Sequence, residues 1–297
     1  MSLDGDRCHR PEGFTLVEMV VALGILAILV VLMGQVINQV SKTITRAQGH
    51  SQCDTEAAVV FDRIGDDIAQ IINRSDADAL FIGFPTNSAS GSNGLSSAGT
   101  DHNDQMFFYS QGSGYATNTT NQSPICFISY VVTNQVLKRL GVAQSWDDQT
   151  FITSGNKQTL INGTNPLTLG LSTTNYYHVL GPSVIRMEVA LLMVAGTTNA
   201  DGSSNGDNAY ANLTNGTNYW HGLTNVNSIA VGLAILDQTT RGLLTSQQLS
   251  NVASALPDSI ASNNGGFPGA WTNQVISVPG SPNSQVRIYK RVFPVTR

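Results

Sequence analysis

The sequence predicts an α+β chain: one long N-terminal helix, then a head of mostly antiparallel strands with long polar loops. Three observations carry that prediction. Residues 14 to 37 form an apolar run whose single charge is Glu18. No proline lies between Phe14 and Phe84, so nothing there forbids a continuous helix. From Leu80 onward the apolar period shortens, and Gly- and Asn-rich stretches separate short β-prone runs.

The apolar run governs the rest. As a helix, Phe14 to Ile37 spans about 36 Å at 1.5 Å per residue, enough to cross a bilayer. A lone carboxylate in hydrocarbon costs several kcal/mol, so Glu18 requires a partner. A secretory signal peptide places its small residues and cleavage site after the apolar core. Here Gly13 precedes the core and no convincing Ala-x-Ala follows it. An ordinary single-pass anchor has no need of an acid near its start. Cleavage between Gly13 and Phe14 would instead create an α-amino group four residues from Glu18. In a helix bundle, the carboxylate of one subunit then pairs with the terminal amine of a neighbour, and two costly charges neutralise.

Gly13-Phe14-Thr15-Leu16-Val17-Glu18, followed by the apolar helix, resembles the class III signal of type IV pilins and type II secretion pseudopilins. The resemblance implies cleavage after Gly13 by the prepilin peptidase and N-methylation of Phe14. It further implies that Glu18 guides docking onto a growing filament. The partners it implies are other pilins or pseudopilins through the N-terminal helix, the prepilin peptidase and an inner-membrane assembly platform. The chain would then be a single-pass inner-membrane protein with its head in the periplasm. The leader departs from the family's basic pattern, mixing Arg7 and Arg10 with Asp4, Asp6 and Glu12. With Lys42 and Arg46 beyond the other end of the run, charge alone orients the helix weakly, and orientation rests on the motif.

Past Gln35 the apolar positions thin to one face. Val36, Val40, Ile44 and Ala47, then Ala57, Val60, Phe61, Ile64, Ile68, Ile71 and Ile72, recur at helical spacing. One helix from Phe14 to about Asn73 is therefore expected, with Gly34 and Gly49 as points of loosening. The expected organisation is a leader at 1–13, a transmembrane or filament-core helix at 14–37, its amphipathic continuation at 38–73 and a β-rich head at 74–297. The stretch from Glu56 to Ile68 is similar to the second half of this helix in the larger minor pseudopilins of the J type. It also resembles the Verru_Chthon type of cassette pilin-like proteins.

In the head, strands are expected at Gln105–Ser110, Ile125–Thr133, Gln135–Arg139, Val184–Met193, Asn227–Asp237 and Gln285–Val292, with a hairpin turning at Asn134. Ser246–Ala255 reads as a short helix, capped by Thr245 or Ser246 and followed by Pro257. Stretches 85–104 and 196–224 are long polar loops. A mature chain of this size suits a minor subunit used once or a few times, and Glu18 argues against the tip-most pseudopilin type, which usually lacks that acid.

Composition narrows the chemistry. Charged residues make up 12 % of the chain, about half the usual 25 %, which suits an extracytoplasmic surface built from Asn, Ser and Thr. A net charge of −5 without a basic cluster gives no support to nucleic-acid binding. With Cys8 in the leader, Cys53 and Cys126 remain, and a disulfide or two buried thiols are both open. No zinc-type spacing occurs. Asp201, Asn205 and Asp207 place oxygens at intervals that can wrap Ca²⁺, but the spacing is not that of an EF-hand and no closing Glu follows, so a solvated loop is the plainer reading. Asp101 and Asp104 have less claim still. His9, His50, His102, His178 and His221 are scattered, with no nucleophile elbow, metalloprotease helix or phosphate loop, so no enzyme and no cofactor beyond calcium is expected. Trp146, Trp220, Trp271 and the Tyr176-Tyr177 pair are candidate surface contacts, although such aromatics usually fill cores. They give the alternative function, a minor pilin acting as an adhesin or DNA-uptake module through its loops.

Overall fold

The computed structural model describes residues 13, 15–72, 78–83, 103–111, 122–145, 177–194, 217–221, 223, 226–256 and 286–295. The fold is α+β, a long N-terminal helix followed by antiparallel sheets. The chain divides into two compact units, Met1–Gly49 and His50–Arg297.

Helix α1 covers Leu16–Ala69 and stays helical at both Gly34 and Gly49, so the expected loosening does not occur. Its start is fixed by Thr15, and its end falls short of the expected Asn73 for a visible reason. Beyond Ala69 the backbone turns to pair with a strand end: Ile72 N–H donates to Tyr109 O at 2.9 Å, and Gln111 N–H donates to Gln70 O at 3.0 Å. Sheet-type pairing satisfies backbone groups that another helical turn would have used.

In the unit from His50 onward, nine strands occur among the described residues: β1 (Asp78–Gly83), β2 (Gln105–Ser110), β3 (Gln122–Thr133), β4 (Val136–Ser145), β5 (His178–Gly181), β6 (Val184–Met193), β7 (Thr217–His221), β8 (Val226–Ile235) and β9 (Arg287–Pro294). They form a six-stranded sheet, β5-β4-β3-β2-β1-β7, and a three-stranded sheet, β6-β8-β9, with every pairing antiparallel. Asn134 and Gln135 both have φ of 54° and link Thr133 to its partner Val136, the two-residue turn whose twist matches its strands. β8 ends at Ile235, before the expected Asp237, because Asp237 caps the next helix. Its side chain accepts from Thr240 N–H, opening α2 (Gln238–Leu243). Helix α3 (Ser246–Ser254) opens on a capping box between Thr245 and Gln248.

The buried face of α1 within this unit, Cys53, Ala57, Val60, Phe61, Ile64 and Ile68, shares one core with inward residues of both sheets, among them Met106, Tyr130, Leu137, Val189 and Val231. Each large aliphatic side chain buried there contributes about 1.5–3 kcal/mol. The opposite face of the three-stranded sheet packs Ile185 and Ala234 against Leu249 and Val252 of α3. Cys53 and Cys126 are buried thiols and no disulfide joins them. Cys126 sits across from Ser110, whose hydroxyl donates to the Asp67 carbonyl, and Asp67 lies about 21 Å along α1 from Cys53. A disulfide tolerates Cα separations up to only about 7 Å.

Candidate assembly site

The candidate site begins in the first turn of α1. Thr15 N–H and Thr15 Oγ1–H both donate to Glu18 Oε2 at 3.0 Å, and Glu18 N–H donates back to Thr15 Oγ1 at 3.3 Å. Met19 N–H donates to Thr15 O, the first backbone bond of the helix. This is a capping box: a hydroxyl residue at the cap and an acid three positions on satisfy amides the helix leaves orphaned. The carboxylate that looked unpartnered in sequence therefore has a local partner. The Thr-x-x-Glu spacing was the signal for it, and the role of Thr15 went unread from sequence. Gly13 lies just before this turn; Phe14 lies outside the described residues.

Among the described residues, the helix that follows has no covering partner within its own unit. Large apolar side chains from Leu16 to Ile44 are each 50–81 % exposed. A monomeric surface rarely carries contiguous apolar patches above a few hundred Å², so a surface of this extent marks a protein or membrane interface. By length and composition, α1 can cross a membrane.

Residues 8–34 match the family model of the prokaryotic N-terminal methylation motif. The match supports a type IV pilin-like family and prepilin-type processing, and it is to a structural signal rather than a catalytic one. It fits membrane anchoring through the apolar helix. No curated protein matches the chain.

In the unit from His50 onward, several charged groups are engaged structurally. Asp67, 1 % exposed, accepts from Arg139 Nε at 2.6 Å and Arg139 Nη2 at 2.9 Å, and from the Tyr130 hydroxyl; Arg63 lies 3.5 Å away. Burial, and then the Asp67 charge, push the Tyr130 phenol well above its usual range. Burial also raises Tyr177, whose hydroxyl meets Ser129 Oγ at 2.9 Å. Arg186, fully buried, pairs with Glu188 at 2.7 Å and donates to the carbonyls of Ala253 and Leu256 at the end of α3. Along β9, Arg287, Tyr289 and Arg291 meet His50, Asp54 and Asp62 of α1, with Tyr289 donating to Asp54 at 2.5 Å. Alternate strand residues share a face, as do helix residues four apart, and the two spacings match here.

Asp104 is no surface ligand: it is buried, its Oδ2 accepts from Val189 N–H at 2.8 Å, and Asn103 Oδ1 accepts from Met187 N–H at 2.9 Å. The two side chains satisfy the edge of β6. Asp201, Asn205 and Asp207, like Asp101, Trp146, Tyr176 and Trp271, lie outside the described residues. Among the described residues no group of three or more His, Cys, Asp or Glu could hold a metal.

Proposed function

We propose that the chain is a structural minor pilin or pseudopilin subunit, cut after Gly13 by the prepilin peptidase, methylated on Phe14 and assembled through α1 into a type II secretion pseudopilus or type IV pilus-like filament. The match of residues 8–34 to the methylation motif, on a helix whose large apolar side chains are exposed from Leu16 to Ile44, carries the reading. Glu18 is its assembly residue. Once the leader is gone, the amine of a neighbouring Phe14 competes with Thr15 for the same carboxylate, so a satisfied cap is exchanged for an intersubunit ion pair. The apolar residues 19–37 supply the packing surface, first against lipid and then against neighbouring helices. The head rests on the periplasmic side of the inner membrane.

The test is Glu18→Ala. The reading expects a protein that is still processed and still membrane-bound but absent from sheared filaments, where the wild-type chain is found. Incorporation of the variant at wild-type levels would remove Glu18 from assembly.

A further inference from the structure

Beyond the apolar run, the unit 1–49 carries two cations, Lys42 and Arg46, both exposed. Four residues apart on α1, they share one face, where like charges repel by a few tenths of a kcal/mol. The residues three and four positions from either are Asn38, Gln39, Thr43, Thr45, Gly49 and His50, besides each other, and none is a carboxylate. Neither cation makes an ion pair among the described residues. At about 100° per residue the pair is centred about 135° around the helix from the apolar stripe of Val36, Val40, Ile44 and Ala47.

Their distance from the apolar run gives them a use. Residues 19–41 carry no charge and span about 35 Å of helix, close to the roughly 30 Å of a bilayer core. Lys42 lies about 7.5 Å beyond Ile37 along the axis and Arg46 about 13.5 Å beyond it. The headgroup layer adds roughly 5–7 Å on each side. Helical side chains lean toward the N-terminus, here back toward that layer, and long basic side chains extend along such a surface to reach it.

We propose that Lys42 and Arg46 form a binding site for the phosphates of anionic phospholipid, in the leaflet on the C-terminal side of the apolar run. The site fixes the depth at which the helix rests before assembly. It rests on the membrane-anchored reading above.

The test is native mass spectrometry of the full chain, released from detergent with phosphatidylglycerol or phosphatidylcholine added. Two cations near an anionic surface confer roughly 30-fold in preference. The double variant Lys42→Gln, Arg46→Gln is expected to lose about that much preference for phosphatidylglycerol. The charge-preserving exchange Lys42→Arg, Arg46→Lys is expected to keep it. A double Gln variant that retains phosphatidylglycerol as the wild type does would overturn the site. Loss of subunit association without any change in lipid preference would also overturn it, and would assign the cations to an acidic protein partner. Alkaline carbonate extraction separates the two levels. A wild-type chain stripped from membranes refutes the anchoring itself, whereas a chain that stays integral without lipid preference refutes the site alone.

Discussion

Replacing Asp67 with alanine removes the carboxylate to which a largely buried guanidinium and a buried phenol both donate. Asp67 takes two hydrogen bonds from Arg139 and one from Tyr130, and the side chains of Asp67 and Arg139 are 2 % and 12 % exposed. Removing one partner of such a pair costs about 3–5 kcal/mol, because the other charge stays desolvated. The exposed pair of Arg291 and Asp62, at 2.5 Å, provides the comparison. Its side chains are 49 % and 68 % exposed, and losing it costs about 0–1 kcal/mol. Urea unfolding of the full chain in detergent, followed by tryptophan fluorescence, is the assay. Asp67→Ala is expected to lower the midpoint strongly at an unchanged slope, and Asp62→Ala to leave it nearly in place. Removing both charges with Asp67→Leu and Arg139→Met is expected to recover much of the loss. Equal costs for Asp67→Ala and Asp62→Ala would refute the assignment of Asp67 as the tie between helix and sheet.

A Cβ on Gly181 would lie 2.5 Å from Val184 Cγ2, 3.2 Å from Val60 Cγ2 and 3.3 Å from Leu137 Cβ. Gly181→Ala is therefore expected to destabilise by about 1–3 kcal/mol in the same assay; a neutral result would show that this contact relaxes freely. Tyr130 titrates higher folded than unfolded, so its contribution is complete below about pH 10 and is lost as pH rises above that. Alkaline unfolding should accordingly be less steep in pH for Tyr130→Phe than for the wild type, and identical slopes would contradict the burial argument.

How much was legible from sequence depended on how far each element signals by itself. β2 and β6 were read at their true limits, since each is a run of mostly buried residues that begins just after a polar one, Asp104 and Ser183. The turn at Asn134 and the cap at Thr245 announce themselves locally. β5 and β7, four and five residues long and at the two edges of their sheet, carry too little periodicity to stand out. α2 is a single short turn-and-a-half held by Asp237, and that cap also took the last residues assigned to β8. The split into two sheets, and the adjacency of β1 and β7, depend on contacts distant in the chain that no local pattern encodes. At the candidate assembly site, the motif from Gly13 to Glu18 was plain, and the Thr-x-x-Glu spacing within it also carries a local signal, the capping box in which Thr15 and Glu18 are hydrogen-bonded. The Asp67 network joins residues 63 to 139 apart from any motif, which is why none of its members stood out.

The proposed function places the entry of this chain into the prepilin pathway at the Gly13–Phe14 bond. Mass spectrometry of the native N-terminus, from cells with and without an active prepilin peptidase, tests it most directly. A mature chain beginning at N-methylated Phe14 is expected, replaced by the uncut form when the peptidase is inactive. An intact leader in both backgrounds, or a cut on the far side of the apolar run, would contradict it.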